Sequence, residues 1–294
     1  MQNNESTEAE NFPQAPLKKE VLDNLPLSPN NPPWNIGIAV ATWFASLLFI
    51  LFVPLVGIAI YVAANYTNFS DSNSLAAKVQ SDPNAILANI ISIIPAHILT
   101  IALAWFVVTN VNKHSFREML GWKWGKFNGL QTFGYMSAIV IGFFALAFLL
   151  TNIFGDNENQ LTEILKSSNT AVYIIAFMAT FTAPLVEEVI YRGILYSSFQ
   201  RTLGVNLAVV IVTILFAGVH VPQYWGSPAT IIMICLLSLT LTLIRVKTDN
   251  LLPCIVLHTI LNGIQSFGLV ANTFIKQTPP VTTEQAVSFI HLIK

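Results

Sequence analysis

Glu187 and Glu188 stand side by side in Pro184-Leu185-Val186-Glu187-Glu188-Val189-Ile190-Tyr191-Arg192-Gly193, with long apolar stretches on both sides. An ionisable side chain at bilayer depth is costly, so such residues mark functional sites. Two further polar groups follow: His220 closing Phe216-Ala217-Gly218-Val219-His220, and the pair in His258-Thr259-Ile260-Leu261-Asn262. Neighbours on a helix point about 100° apart, so the two glutamates take different roles. Glu188 and Arg192 are four residues apart with the acid first, the order that favours a pair on one face. A guanidinium can clamp a carboxylate through two parallel bonds. Glu187 keeps no local partner and is free to act as a general base.

Pro184, one turn before the glutamates, removes a backbone donor and can kink the helix, opening room for water. His220 is a proton carrier or metal ligand if it lies level with Glu187; taken alone it reads as a satisfied polar residue at a helix end. His258 and Asn262 share a face at i, i+4. They could donate two hydrogen bonds to a developing oxyanion, or serve as glue between membrane helices. Pro253 suits the first turn of their helix. His97, near Pro95, is expected only to pack or bond locally, and His114 and His291 fall in loop and tail.

The elements that must position these residues are membrane helices. The 294 residues are 54% hydrophobic and 10% charged, against roughly 25% charged in ordinary soluble domains, and mean hydropathy is +0.62. An all-α, polytopic transmembrane bundle follows. A span needs about 20 apolar residues, and the stretches 35–63, 85–109, 131–153, 171–198, 205–221, 229–245 and 251–271 supply seven candidates, within a range of six to eight. Residues 1–33 read as a disordered polar N-terminal tail without a cleavable signal, 34–271 as the transmembrane domain, and 272–294 as a C-terminal tail. The net charge of −1 argues against nucleic acid as a partner. Cys235 and Cys254 lie in apolar segments and read as small core residues.

Lys and Arg set orientation. Lys113, Arg117, Lys123, Lys126, Arg201, Arg245 and Lys247, with Lys18 and Lys19 in the tail, fall on one side; Asp156, Glu158 and Glu163 stand against Lys166 on the other. The N-terminus is therefore expected in the cytoplasm. At 1.5 Å per residue, Glu187 and His220 lie roughly 20 Å from the turn that joins their helices, and His258 and Asn262 climb a comparable distance from the next turn. One buried layer is predicted to hold all four.

Glu-Glu-x-x-x-Arg, then Phe-x-x-x-His, then His-x-x-x-Asn, on successive membrane helices, resembles the CPBP family of intramembrane proteases, also called the type II CAAX endopeptidase or Abi family. The likeness covers about residues 130–270, and Ser115-Phe116-Arg117-Glu118-Met119-Leu120-Gly121-Trp122 is similar to the short amphipathic segment before that core. The resemblance implies that Glu187 activates water with help from His220, that Glu188 and Arg192 hold the motif's shape, and that His258 and Asn262 form the oxyanion site. It leaves the cofactor as none or zinc, with Glu187, His220 and His258 as candidate ligands for a metalloprotease. The missing His-Glu-x-x-His spacing favours the metal-free form.

The expected protein is an intramembrane endopeptidase, CAAX-protease-like, in a bacterial inner membrane. Its substrate would be a peptide or membrane protein reaching a cavity open to the cytoplasm. Two alternatives use the same residues: a proton-coupled transporter, and a non-proteolytic bacteriocin-immunity or adaptor protein.

Overall fold

The computed structural model describes residues 26–66, 72–125, 129–155 and 159–277. The expectations for residues 1–25, for Lys126, for Asp156 and Glu158, and for residues 278–294 lie outside them.

Every regular element in these residues is helical. Six helices are long and apolar enough to cross a membrane: α1 (Ile36–Asn65), α3 (Pro83–Thr109), α5 (Gly129–Phe154), α7 (Asn169–Leu203), α9 (Pro228–Thr248) and α10 (Leu252–Gln277). The shorter apolar α8 (Val205–His220) is the seventh of the expected segments. Three short helices join them: α2 (Ser72–Ser81), α4 (Phe116–Leu120) and α6 (Gln160–Ser167).

Local chemistry sets the helix ends. Asn35 accepts from the Ile38 amide at α1, Asp82 from Asn84 at α3, and Ser168 from Ala171 at α7, each satisfying an orphan donor of the first turn. Gly121 ends α4 with φ +69°, and a Cβ there would lie 2.9 Å from Asn250 Cα. Only glycine combines that left-handed conformation with so close an approach. The Gly121 carbonyl then accepts from the Leu251 amide at 2.8 Å, which seats the amphipathic segment on the turn before α10.

The core lies where α7, α8, α3 and the start of α1 meet, around Trp34, Ala104, Val108, Ile190, Ile194, Val212 and Phe216. α5 buries no residue of its own; Met136, Val140 and Phe143 lean on the Leu237, Leu241, Leu257 and Leu261 cluster of α9 and α10. Leu130, Phe148 and Phe267 stand 82%, 74% and 76% exposed. Such surfaces are unfavourable in water and ordinary in lipid.

The two ends of the bundle are distinct. At one end, Asn30 donates to Asp249 at 2.6 Å, Arg201 to the Pro32 carbonyl at 2.8 Å and Arg245 to the Pro29 carbonyl at 2.9 Å. Residues 26–33, expected within the disordered tail, are therefore strapped across the turns beside the basic residues. At the other end, Asn159 donates to Ser227 at 3.1 Å.

Candidate functional site

α7 is not a uniform α-helix. Two π turns, Met178–Thr182 and Val189–Leu195, flank the α-helical Ala183–Glu188; π turns inside helices often accompany functional sites. The irregularity anticipated at Pro184 takes this form. The Ala183 amide donates five residues back to Met178. Pro184, which would serve the Ala179 carbonyl in the same pattern, has no N–H. Asn262 fills that place, donating its side-chain amide to the Ala179 oxygen at 2.9 Å.

Glu188 and Arg192 form the expected pair at 2.8 Å, both with wholly buried side chains. The contact uses one guanidinium nitrogen rather than a fork. Arg192 Nη2 donates instead to the Ser238 carbonyl and hydroxyl at 3.0 and 2.9 Å, and Nε to Thr242 at 3.3 Å. The guanidinium also sits 4.7 Å from the centre of the Phe216 ring, a cation–π contact. Phe216 packs in turn against Tyr191, His220 and His258. One plate of aromatic surface thus keeps the charged and imidazole groups in register.

Two imidazoles face Glu187. His220 Nε2 lies 3.9 Å from Oε1, and His258 Nε2 lies 3.7 Å from Oε2. Both gaps exceed a direct hydrogen bond and are of the size at which a bridging water is considered. The other nitrogens are anchored: His220 Nδ1 to the Phe216 carbonyl at 2.7 Å, and His258 Nδ1 to Glu188 Oε1 at 2.8 Å. With Nδ1 committed to an acceptor in each ring, it is Nε2 that faces Glu187. Glu187 keeps 24% of its side-chain surface and His220 21%, whereas His258 keeps 2%. Glu187, His220 and His258 meet in the predicted layer, drawn from three helices, while Asn262 lines the same cavity and bonds at Ala179, eight residues before Glu187.

The cluster lines a cavity of about 700 Å³. The cavity reaches from mid-bundle, at Glu187, His97 and His258, toward Leu161, Gln223 and Tyr224, and none of its lining residues comes from the basic turns. The N-terminal strap contributes no residue to the cavity lining. Tyr224, in the connection after α8, has its phenol pushed up to about 12 by burial and, secondarily, by the charge of Glu187. It remains a hydrogen-bond donor.

Glu187, His220 and His258 have the chemistry of a two-histidine, one-carboxylate zinc set. Among the described residues, however, no three His, Cys, Asp or Glu side chains converge as a group that could hold a metal. The residues as placed do not fit zinc. His97 lies in α3, bonded through Nδ1 to Thr182 at 2.9 Å, apart from the cluster. Cys235 and Cys254 are free thiols. Sequence reasoning missed Ser238 and Thr242, whose i, i+4 spacing on an apolar helix was the available signal. It also missed Trp43, whose indole donates to Tyr191 at 3.1 Å and carries no motif.

Six membrane-length apolar helices, wrapped around a cavity lined with acid and imidazole groups, define an integral membrane protein with a buried polar site. Residues 169–264 match the type II CAAX prenyl endopeptidase Rce1-like family, and the chain carries a domain of that family, which implies a membrane protease. The matched segment takes in α7, α8, α9 and the first half of α10, and so contains Glu187, Glu188, Arg192, His220, His258 and Asn262. No curated protein and no solved structure matches the chain.

Proposed function

We propose that this protein is an intramembrane endopeptidase that cleaves a peptide or membrane-protein substrate with a water activated by Glu187. The observation that carries this reading is the convergence of His220 Nε2 and His258 Nε2 on the two Glu187 oxygens at 3.9 and 3.7 Å, with both Nδ1 atoms tied elsewhere. A water in that gap would lie against a carboxylate able to take its proton and imidazoles able to orient it. General-base assistance of this kind contributes about 100- to 10,000-fold.

As water adds to the peptide carbonyl, Glu187 accepts one proton and passes it to the leaving nitrogen. The oxyanion that forms is stabilised by hydrogen-bond donors: Asn262 has a second amide hydrogen beyond the one given to Ala179, and Tyr224 supplies a neutral phenol on the cavity wall. Glu188 and Arg192 touch no substrate; they hold His258 and the helix in place. In this reading residues 34–271 form the working unit, with the protease core at 130–270. The Lys and Arg distribution favours a cytoplasmic N-terminus in a bacterial inner membrane.

Wild type and Glu187→Ala, purified in detergent, are assayed on a quenched peptide library that includes farnesylated members, with and without chelator. Cleavage by wild type alone, surviving chelator, is the expected result. Equal turnover by both proteins sinks the assignment. Loss with chelator and recovery with zinc replaces the metal-free route with a zinc enzyme.

A further inference from the structure

His97 is the one imidazole on the cavity wall that the proposed chemistry does not use. It lies at the middle of α3 and is 9% exposed. Its Nδ1 is committed to the Thr182 hydroxyl at 2.9 Å. The ring borders the same cavity as Glu187, together with Thr100 of the next turn. A histidine placed among Ile90, Ile93 and Met178 loses hydration that its surroundings do not return, and a buried polar atom left unpaired is costly. The Thr182 bond answers for one nitrogen. That leaves Nε2 as the ring atom able to meet a polar group that enters the cavity.

Position along α7 gives that partner a scale. Thr182 precedes Glu187 by five residues, about 7.5 Å of helix rise. Two residues of extended peptide span about 6.6 Å. A strand laid along α7 with its scissile carbonyl at Glu187 would therefore bring a backbone amide two residues away to His97.

Resting on the protease reading above, we propose that His97 is a substrate-binding residue: its Nε2 hydrogen-bonds the peptide backbone of the substrate about two residues from the cleaved bond. Thr182 positions the ring and ties it to the helix that carries Glu187. The ligand class is an extended peptide recognised by its main chain, so the contact selects conformation and length rather than side-chain identity.

The test takes a quenched peptide that the wild type cleaves and replaces its backbone amides one at a time with esters, on both sides of the cleaved bond. An ester removes the N–H and weakens the neighbouring carbonyl as an acceptor. Wild type, His97→Ala and His97→Gln are compared across this series, and the melting temperature of each is recorded. His97→Ala is expected to raise KM roughly 5- to 10-fold, the worth of one hydrogen bond, with kcat within about 2-fold and Gln restoring part of the loss. One ester position near the second residue should slow the wild type and leave His97→Ala unaffected. A uniform deficit at every position, or a deficit that follows a lowered melting temperature in both variants, overturns the proposal in favour of a packing role. Unchanged kinetics in His97→Ala while Glu187→Ala is inactive overturns it alone. Failure of the wild type to cleave any peptide overturns the protease reading and this proposal together.

Discussion

His258 Nδ1 and Glu188 Oε1 lie 2.8 Å apart, and the same oxygen accepts from Arg192 Nη1 at 2.8 Å. One carboxylate oxygen therefore joins α7 to α10 and sets the tautomer of an imidazole whose other nitrogen faces Glu187. The adjacent glutamates divide the work: Glu188 is wholly buried and structural, while Glu187 is open to the cavity.

Glu187→Ala removes the proposed base from a partly exposed position and leaves no buried charge unpaired. Cleavage should fall by at least about 1000-fold, with the melting temperature in detergent close to wild type. Fluorogenic peptide assays beside thermal unfolding check both halves.

Glu188→Ala strands the Arg192 guanidinium, and Arg192→Ala strands Glu188. Breaking a buried pair from one side costs about 3–5 kcal/mol, so both variants should unfold at markedly lower temperature or denaturant. Arg192→Lys should recover little, because an ammonium cannot reach Glu188, Ser238 and Thr242 together. Wild-type melting in the two alanine variants would refute the pairing.

Asn262 donates to a carbonyl that Pro184 cannot serve. Asn262→Ala should cost about 1–3 kcal/mol by leaving the Ala179 oxygen without a partner, and should lower kcat by loosening α10 against α7. Replacing Pro184 with Ala as well would test whether a restored amide offsets the loss. A fall in kcat with unaltered stability would assign Asn262 to the oxyanion alone.

Asp82 caps α3 and accepts from Tyr61 and Tyr66 at 2.7 and 2.9 Å. These hydroxyls, Tyr61 foremost, with the Asn84 amide, hold its carboxyl below the ordinary 3.8. A depressed carboxylate stabilises the fold above its unfolded pKa, and that contribution is lost as pH falls through the folded value. Melting curves between pH 6 and about 3 should show an acid-side decline that is shallower in Asp82→Asn.

Lys123 and Ser227 mark opposite ends of the bundle. With a cytoplasmic N-terminus, a cysteine replacing Trp225, 75% exposed two residues before Ser227, should react with an impermeant maleimide added to intact cells, and one replacing Lys123 should react only after lysis. This requires a background in which Cys235 and Cys254 are replaced. The reverse pattern would put the Ser227 end in the cytoplasm and the N-terminal strap outside.

The helices and the layer of polar residues at Glu187 were legible in the sequence for separate reasons. Apolar runs of membrane length have few alternatives to a helix, since lipid offers the backbone no hydrogen-bond partners. The Glu187 layer followed from helix rise and short turns, which fix depth without knowledge of packing. What stayed hidden depended on rotation and crossing. The Glu188–Arg192 pair was expected and a fork between them was possible, yet the second guanidinium nitrogen turns to Ser238, because α9 passes close enough to compete. His97 was read as a locally bonded residue, and its bond to Thr182 joins two helices.

The sequence by itself determined an all-helical membrane chain, the i, i+4 pairing of Glu188 with Arg192, and the common depth of Glu187, His220 and His258, all consequences of local periodicity. Only the tertiary structure decided that Glu188 rather than Glu187 holds His258, that Asn262 closes a gap left by Pro184, and that the cavity lies away from the basic turns. Those facts depend on the angles at which α7, α9 and α10 pack, and packing angles follow from side-chain contacts between segments far apart in the chain.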